Sequence, residues 1–215
     1  MQLHGQLNHR SNMPLTRLPL TSSALTGTLG VSNGGTGVTT QADIGNFVLL
    51  SQATSTTAVG SIDFTFSSDY DEYKLFFQAT PVTDNVDLFA RVLVGGTVQT
   101  DNRYGYGLSR IDSGSRSIFG SNGDGELFLT ATAGQGNVPA DEGGGIDLTI
   151  SQVNSTQNYK KFYWINSYQG TSNAHLGEVG SGVFLRDSYI LSGLRLSYTS
   201  GNIARHSYRF YGLRK

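Results

Sequence analysis

From Ser61 to Arg214 the chain is a succession of short segments in which apolar and polar residues alternate, cut at close intervals by Gly, Asn, Asp and Pro. A two-residue period puts successive side chains on opposite faces of an extended strand. A helix cannot use it, because its apolar stripe recurs every three to four residues. Ser61–Phe66 sets Ile62, Phe64 and Phe66 against Ser61, Asp63 and Thr65. Val86–Val94 places Val86, Leu88, Ala90, Val92 and Val94 on one side, and Gly95-Gly96 follows as a hairpin turn would. Further strands are predicted over Glu72–Thr80, Arg103–Leu108, Glu126–Thr132, Gly145–Val153, Tyr159–Tyr168, Gly182–Ser188, Leu191–Thr199 and His206–Arg214. The intervening SNGDGE, GQGNVPADEGGG, NSTQN and TSGN read as turns. No long amphipathic helix competes with this pattern. The expected fold is all-β, an antiparallel jelly-roll-like sandwich over residues 47–215.

Residues 1–46 are of another kind. Arg10, Arg17 and Asp43 are their only formal charges, no apolar period persists, and Pro14 and Pro19 favour extended backbone. Such a segment buries too little surface to offset its own ordering entropy. It is expected to be an extended N-terminal arm, disordered or ordered only against copies of itself or a partner. Over the whole chain the net charge is -1 and charged residues make up 14%. That balance gives no field to gather nucleic acid or anionic lipid. The start MQLHGQLNHR lacks the apolar core of a secretory signal, and no apolar run approaches the roughly 20 residues of a membrane span. Synthesis in the cytoplasm without membrane insertion is the expectation. Cysteine is absent, which excludes disulfides, thiolate metal sites and cysteine nucleophiles.

Catalytic signatures are lacking. His4, His9, His175 and His206 are scattered without ligand spacing, and no G-x-S-x-G elbow or P-loop occurs. In SNGDGE, Asn122, Asp124 and Glu126 alternate with glycines and offer three oxygens to a cation, without the remainder of a calcium site; a solvated hairpin is the simpler reading. A glycosidase needs two converging carboxyls. Asp69, Asp71, Glu72, Asp141, Glu142 and Glu178 have no arrangement in the sequence that singles out a pair. Asn154-Ser155-Thr156 matches a glycosylation acceptor but reads as a turn. No catalytic residue, cofactor or metal is assigned.

Tyrosines are more informative. Tyr104 and Tyr106 flank Gly105 beside Asn102 and Arg103, a grouping that a receptor-binding surface would use. In KFYWINSY, Phe162, Trp164 and Asn166 share one face while Tyr163 and Ile165 share the other. Both faces are apolar, as in a strand covered on its second side by a neighbouring subunit.

The segment LTGTLGVSNGGTGVTT, Leu25–Thr40, resembles a short glycine-threonine element that recurs in bacteriophage tail-fibre and related virion proteins, of the form TGT-x-x-V-x-N-G-G-T-G. Thr26, Gly27, Thr28, Val31, Asn33, Gly34, Gly35, Thr36 and Gly37 match it; Gly30 stands where a proline or similar residue is usual. Leu191–Lys215 resembles the closing strand pair of phage β-sandwich domains, ending in Tyr211-Gly212 and a basic tail, with Arg205-His206 in place of a small turn residue. The resemblance implies a virion structural protein. Its arm would join other virion proteins at the tail or baseplate, and its β domain would point outward to a host polysaccharide or protein. A homotrimer fits a ribbon that cannot bury itself, since glycines permit close approach at a three-fold axis. Adhesion would be non-catalytic. The alternatives are a capsid decoration or head-fibre protein of the same fold, and a glycan-degrading spike.

Overall fold

A computed structural model describes residues 47–112, 114–130, 134–137, 142–170 and 174–214. The expected arm and the ribbon residues Thr26–Gly37 lie outside them, as does Asp141. The described residues form thirteen strands and no helix: β1 Phe47–Ser55, β2 Ile62–Thr65, β3 Tyr70–Pro81, β4 Leu88–Val94, β5 Thr97–Val98, β6 Tyr104–Asp112, β7 Ser115–Asp124, β8 Leu127–Phe128, β9 Gly143–Ser151, β10 Lys160–Gln169, β11 His175–Phe184, β12 Gly193–Tyr198 and β13 Ile203–Arg214.

Two antiparallel sheets result. The larger runs β1-β13-β3-β9-β10-β11-β6-β7; the smaller runs β2-β12-β4-β5, with β8 also pairing β4. Four pairs define the winding: β1 with β13, β2 with β12, β3 with β9, and β4 with β8. Strands β1 to β4 alternate between the sheets, and their partners return in reverse order. This is a jelly roll. The segment between β4 and β8 adds the β6–β7 hairpin, and the segment between β9 and β12 adds β10 and β11. Together these widen one sheet to eight strands.

Alternation decides what lies between the sheets. Tyr73, Leu75 and Phe77 of β3, Leu148 of β9, Phe162 and Trp164 of β10, and Phe210 of β13 meet Phe64, Val92, Leu194 and Leu196 of the smaller sheet. Phe66, Tyr73 and Phe210 stack with ring centroids 4.4 and 5.2 Å apart. Gly95 and Gly96 both have positive φ, 56° and 81°, which makes the β4–β5 turn the type that glycine favours.

Several boundaries differ from expectation. β11 begins at His175 and ends at Phe184, so it lies earlier than the predicted 182–188 segment. β8 is only two residues long. SNGDGE is not a free turn: Ser121 to Asp124 belong to β7, an edge strand held by its register with β6. β1 and β7 show no alternation of hydrophobicity, and pairing rather than pattern makes them strands.

Candidate association surface

The outer face of an antiparallel sheet usually turns polar side chains to water. Here it does so only in part. Following the register, Gln52, Arg209, Phe76, Asp147, Ile165, Val179, Ser109 and Ile118 form one transverse row across all eight strands. Beside it stand Leu49, Tyr211, Lys74, Thr149, Tyr163, Ser181, Gly107 and Gly120. Ile118 is 76% exposed, Ile165 62% and Val179 59%. Each β-branched side chain left in water forgoes on the order of 1.5–3 kcal/mol that burial would supply.

The band has two parts of different shape. Near the β1 edge, Phe47 and Phe76 both meet Tyr211 edge-on, at centroid distances of 6.4 and 6.1 Å. Towards β7, Tyr163, Ile165, Val179 and Ile118 line an open groove of about 650 Å³. Gly107 stands in that groove without a side chain, so the floor there is backbone. Lys74, Asp147 and Arg116 line the same groove: Lys74 pairs with Asp147 and donates to Thr149 Oγ1 at 3.1 Å, and Arg116 donates to Ser109 Oγ at 2.9 Å. The band therefore carries charged groups beside its apolar ones, Arg209 among them. A neighbouring depression of about 570 Å³, lined by Phe76, Gln78, Ser167 and Arg209, continues the trough along the sheet.

Titratable groups with clear shifts lie mostly on the other side of the sheet. Tyr104 is fully buried; its hydroxyl donates to Gln99 O at 2.8 Å and accepts from Val92 N at 3.0 Å. Burial raises its pKa. Tyr106 is raised by burial and then by Asp124, to which it donates at 3.0 Å. Tyr168 is raised by burial and by the Glu178 carboxylate that it meets at 2.9 Å, and Asn166 donates to the same carboxylate at 2.8 Å. Tyr198, raised by burial, donates to Gln135. The Lys160 amine is enclosed by the carbonyls of Ser155, Asn158, Arg186 and Asp187 at 2.6 to 3.2 Å. These groups tie turns and sheets together, and their hydrogen-bonding capacity is spent inside the sandwich.

The structure divides the residues grouped around Tyr104. Asn102 and Arg103 stand exposed before β6. Tyr104 and Tyr106 share the inward parity of Leu108, so neither presents its ring as the sequence reading assumed. The correction has a steric cause: Gly105 and Gly107, which alternate with the tyrosines, leave the opposite face of the strand without side chains and the core face filled. Near them, Asp124 accepts from Tyr106, and Glu126 pairs with Arg91. Among the described residues no group of three His, Asp or Glu side chains could hold a metal ion. Glu178 is buried, whereas Asp69 accepts from Ser67 in an exposed turn. Asn154 Nδ2 donates to Tyr70 O at 2.7 Å, a structural use of the acceptor-like motif. Phe76, Val179 and Ile118 were missed as surface residues, although the doubly apolar KFYWINSY pointed to this face. Comparison with family models, curated proteins and solved structures gives no match to this chain.

Proposed function

We propose that this chain is a structural protein of a bacteriophage particle, a short tail or baseplate fibre whose β-sandwich contacts the host surface without catalysis. The observation that carries the reading is the group of exposed apolar side chains, Phe76, Ile118, Tyr163, Ile165 and Val179, on the outer face of the eight-stranded sheet. Exposed apolar side chains gathered on one face are the mark of an association surface. The GGTG ribbon at Asn33–Gly37 supplies the virion context by resemblance. A homotrimer is part of the proposal, because several weak host contacts then act together through avidity. Asn102 and Arg103, both exposed, remain candidates for host contact; Tyr104 and Tyr106 support their strand from inside.

Gold-labelled antibody against the purified chain, applied to phage particles from a lysate that contains it, tests the reading. Label at the tail tip or baseplate is expected. Label on the shell would replace the fibre by a capsid decoration protein, and unlabelled particles would end the virion assignment. Release of reducing ends from host glycan by the purified chain would overturn the non-catalytic part.

A further inference from the structure

We infer that the chamber around Lys160 is a binding site for a monovalent cation of ammonium size, and that its resident cation is the chain's own side chain. Lys160 opens β10 and is fully buried. Its amine donates to four backbone carbonyls, Ser155 O at 2.6 Å, Asn158 O at 3.2 Å, Arg186 O at 3.1 Å and Asp187 O at 2.8 Å. Two of these oxygens come from the β9–β10 turn and two from the β11–β12 connection. An ammonium has three N–H donors, so the oxygens outnumber them and answer the charge as well. Burial draws the Lys160 pKa down, and the Asp187 carboxylate raises it. Converging carbonyls replace the hydration shell of a cation, as they do in potassium-selective pores. Divalent ions are poorly served here. Calcium takes about six to eight oxygens at about 2.3–2.6 Å, carboxylates among them, and magnesium sits closer still. The cage has a shape that does not depend on Lys160. Ser155 Oγ accepts from Gln157 N at 3.2 Å, Asn158 N at 3.0 Å and Asn158 Nδ2 at 3.2 Å, which presets the first pair of carbonyls. On the other side Leu185 N donates to Arg103 O at 2.8 Å, Ser188 N donates to Asp187 Oδ1 at 2.8 Å, and Arg186 pairs with Asp101. Leu191 N donates to Val153 O at 2.9 Å and ties the two connections together. Removing the lysine side chain therefore leaves an enclosed, electronegative space whose carbonyls lack a donor until a cation enters.

Rescue tests the site in the full-length chain. Lys160→Ala keeps Cβ, and n-propylammonium carries the atoms that the substitution removes. Urea midpoints of K160A and of the parent are read by Trp164 emission at constant ionic strength. The additives are the chlorides of n-propylammonium, ammonium, potassium and tetramethylammonium, and the uncharged 1-propanol. n-Propylammonium is expected to raise the K160A midpoint in a saturable way, the folded-to-unfolded ratio growing about tenfold at about ten times the half-saturating concentration. Ammonium and potassium should act in the same direction. Tetramethylammonium, bulky and without N–H donors, and 1-propanol, which fills the stem without a charge, should leave the midpoint where it is. The parent should respond to none of them, because its cage is filled from within. A rise with 1-propanol as large as with n-propylammonium would mean that the space takes apolar volume and not a cation, which overturns the inference. An equal rise in the parent would be a general salt effect and would overturn it too. If K160A does not fold in buffer alone, recovery of the parent's Trp164 emission on adding n-propylammonium supports the site. A K160A protein that no cation stabilises, folded or not, overturns it.

Discussion

Trp164 of β10 and Gly180 of β11 are register partners on the inner face of the large sheet, and the indole lies where a side chain at 180 would be. A Cβ built on Gly180 falls 2.2 Å from Trp164 Cζ2 and 2.3 Å from Cε2. Carbon atoms in contact sit no closer than about 3.5 Å, so Gly180→Ala drives the ring back by roughly 1.3 Å. Trp164 is 2% exposed and packs within the core cluster. Overpacking of this kind costs about 1–3 kcal/mol, and a rigid, enclosed indole places the substitution near the upper figure. For a chain of this size, about 3 kcal/mol lowers Tm by roughly 6–12 °C. Trp164 is the only tryptophan, so its emission follows the site directly during urea unfolding at fixed protein concentration. In a Trp164→Leu background the same Gly180→Ala change is expected to cost less than about 1 kcal/mol, followed by circular dichroism, because the clash is gone. Equal losses in both backgrounds, or a G180A protein as stable as the parent with unshifted emission, would refute the steric argument.

Other substitutions probe the buried polar groups. Lys160→Met leaves four backbone carbonyls without their donor and is expected to destabilise by about 3 kcal/mol, measured by urea midpoint; an unchanged midpoint would show that water replaces the amine without loss. Tyr104→Phe removes the acceptor for Val92 N and the donor to Gln99 O, and about 1–3 kcal/mol should be lost with host adsorption per folded molecule unaltered. Tyr104, Tyr106, Tyr168 and Tyr198 all have folded pKa values raised above the ordinary 10.0. The unfolded chain releases these protons first, so their contribution is complete below about pH 10 and declines as pH rises beyond it. Urea midpoints measured from pH 8 to 12 should fall steeply above 10; a flat profile would contradict the burial of these phenols. Asn102→Ala with Arg103→Ala should leave Tm within about 1 °C, since both side chains are exposed, and lower host adsorption if that loop touches the receptor.

Strands with one apolar face were legible in the sequence because the period survives burial: Ile62 to Thr65, Leu88 to Val94 and Gly193 to Tyr198 lie where alternation places them. β7 was not legible. Its SRSIFGSNGD is rich in turn formers, and the need for glycine at 120 comes from a partner, since a Cβ there would meet Tyr106 O at 2.6 Å. Parity was readable for Tyr104 and Tyr106, but which parity faced inward depended on Leu108 and on the smaller sheet packing above it. The exposed apolar face was half legible. KFYWINSY carried apolar residues on both faces, while Val179, Ile118 and Phe76 come beside it only through pairings between strands distant in sequence.

The order in which the strands are made has a consequence for synthesis. β12 lies between β2 and β4, and β13 lies between β1 and β3, so the two strands of the sandwich that are made after the others are interior members of its two sheets. Until they leave the ribosome, each sheet is split and four strand edges stand open, with Phe47 and Leu49 on one of them. A nascent chain in that state cannot complete its core, and at ~5–20 residues per second it stays open for seconds while neighbouring chains on the same message do the same. Release of β13 then joins β1 to β3 and closes the sandwich, so the outer face of the larger sheet, with Phe76 and Ile165 exposed on it, is complete only once the core is.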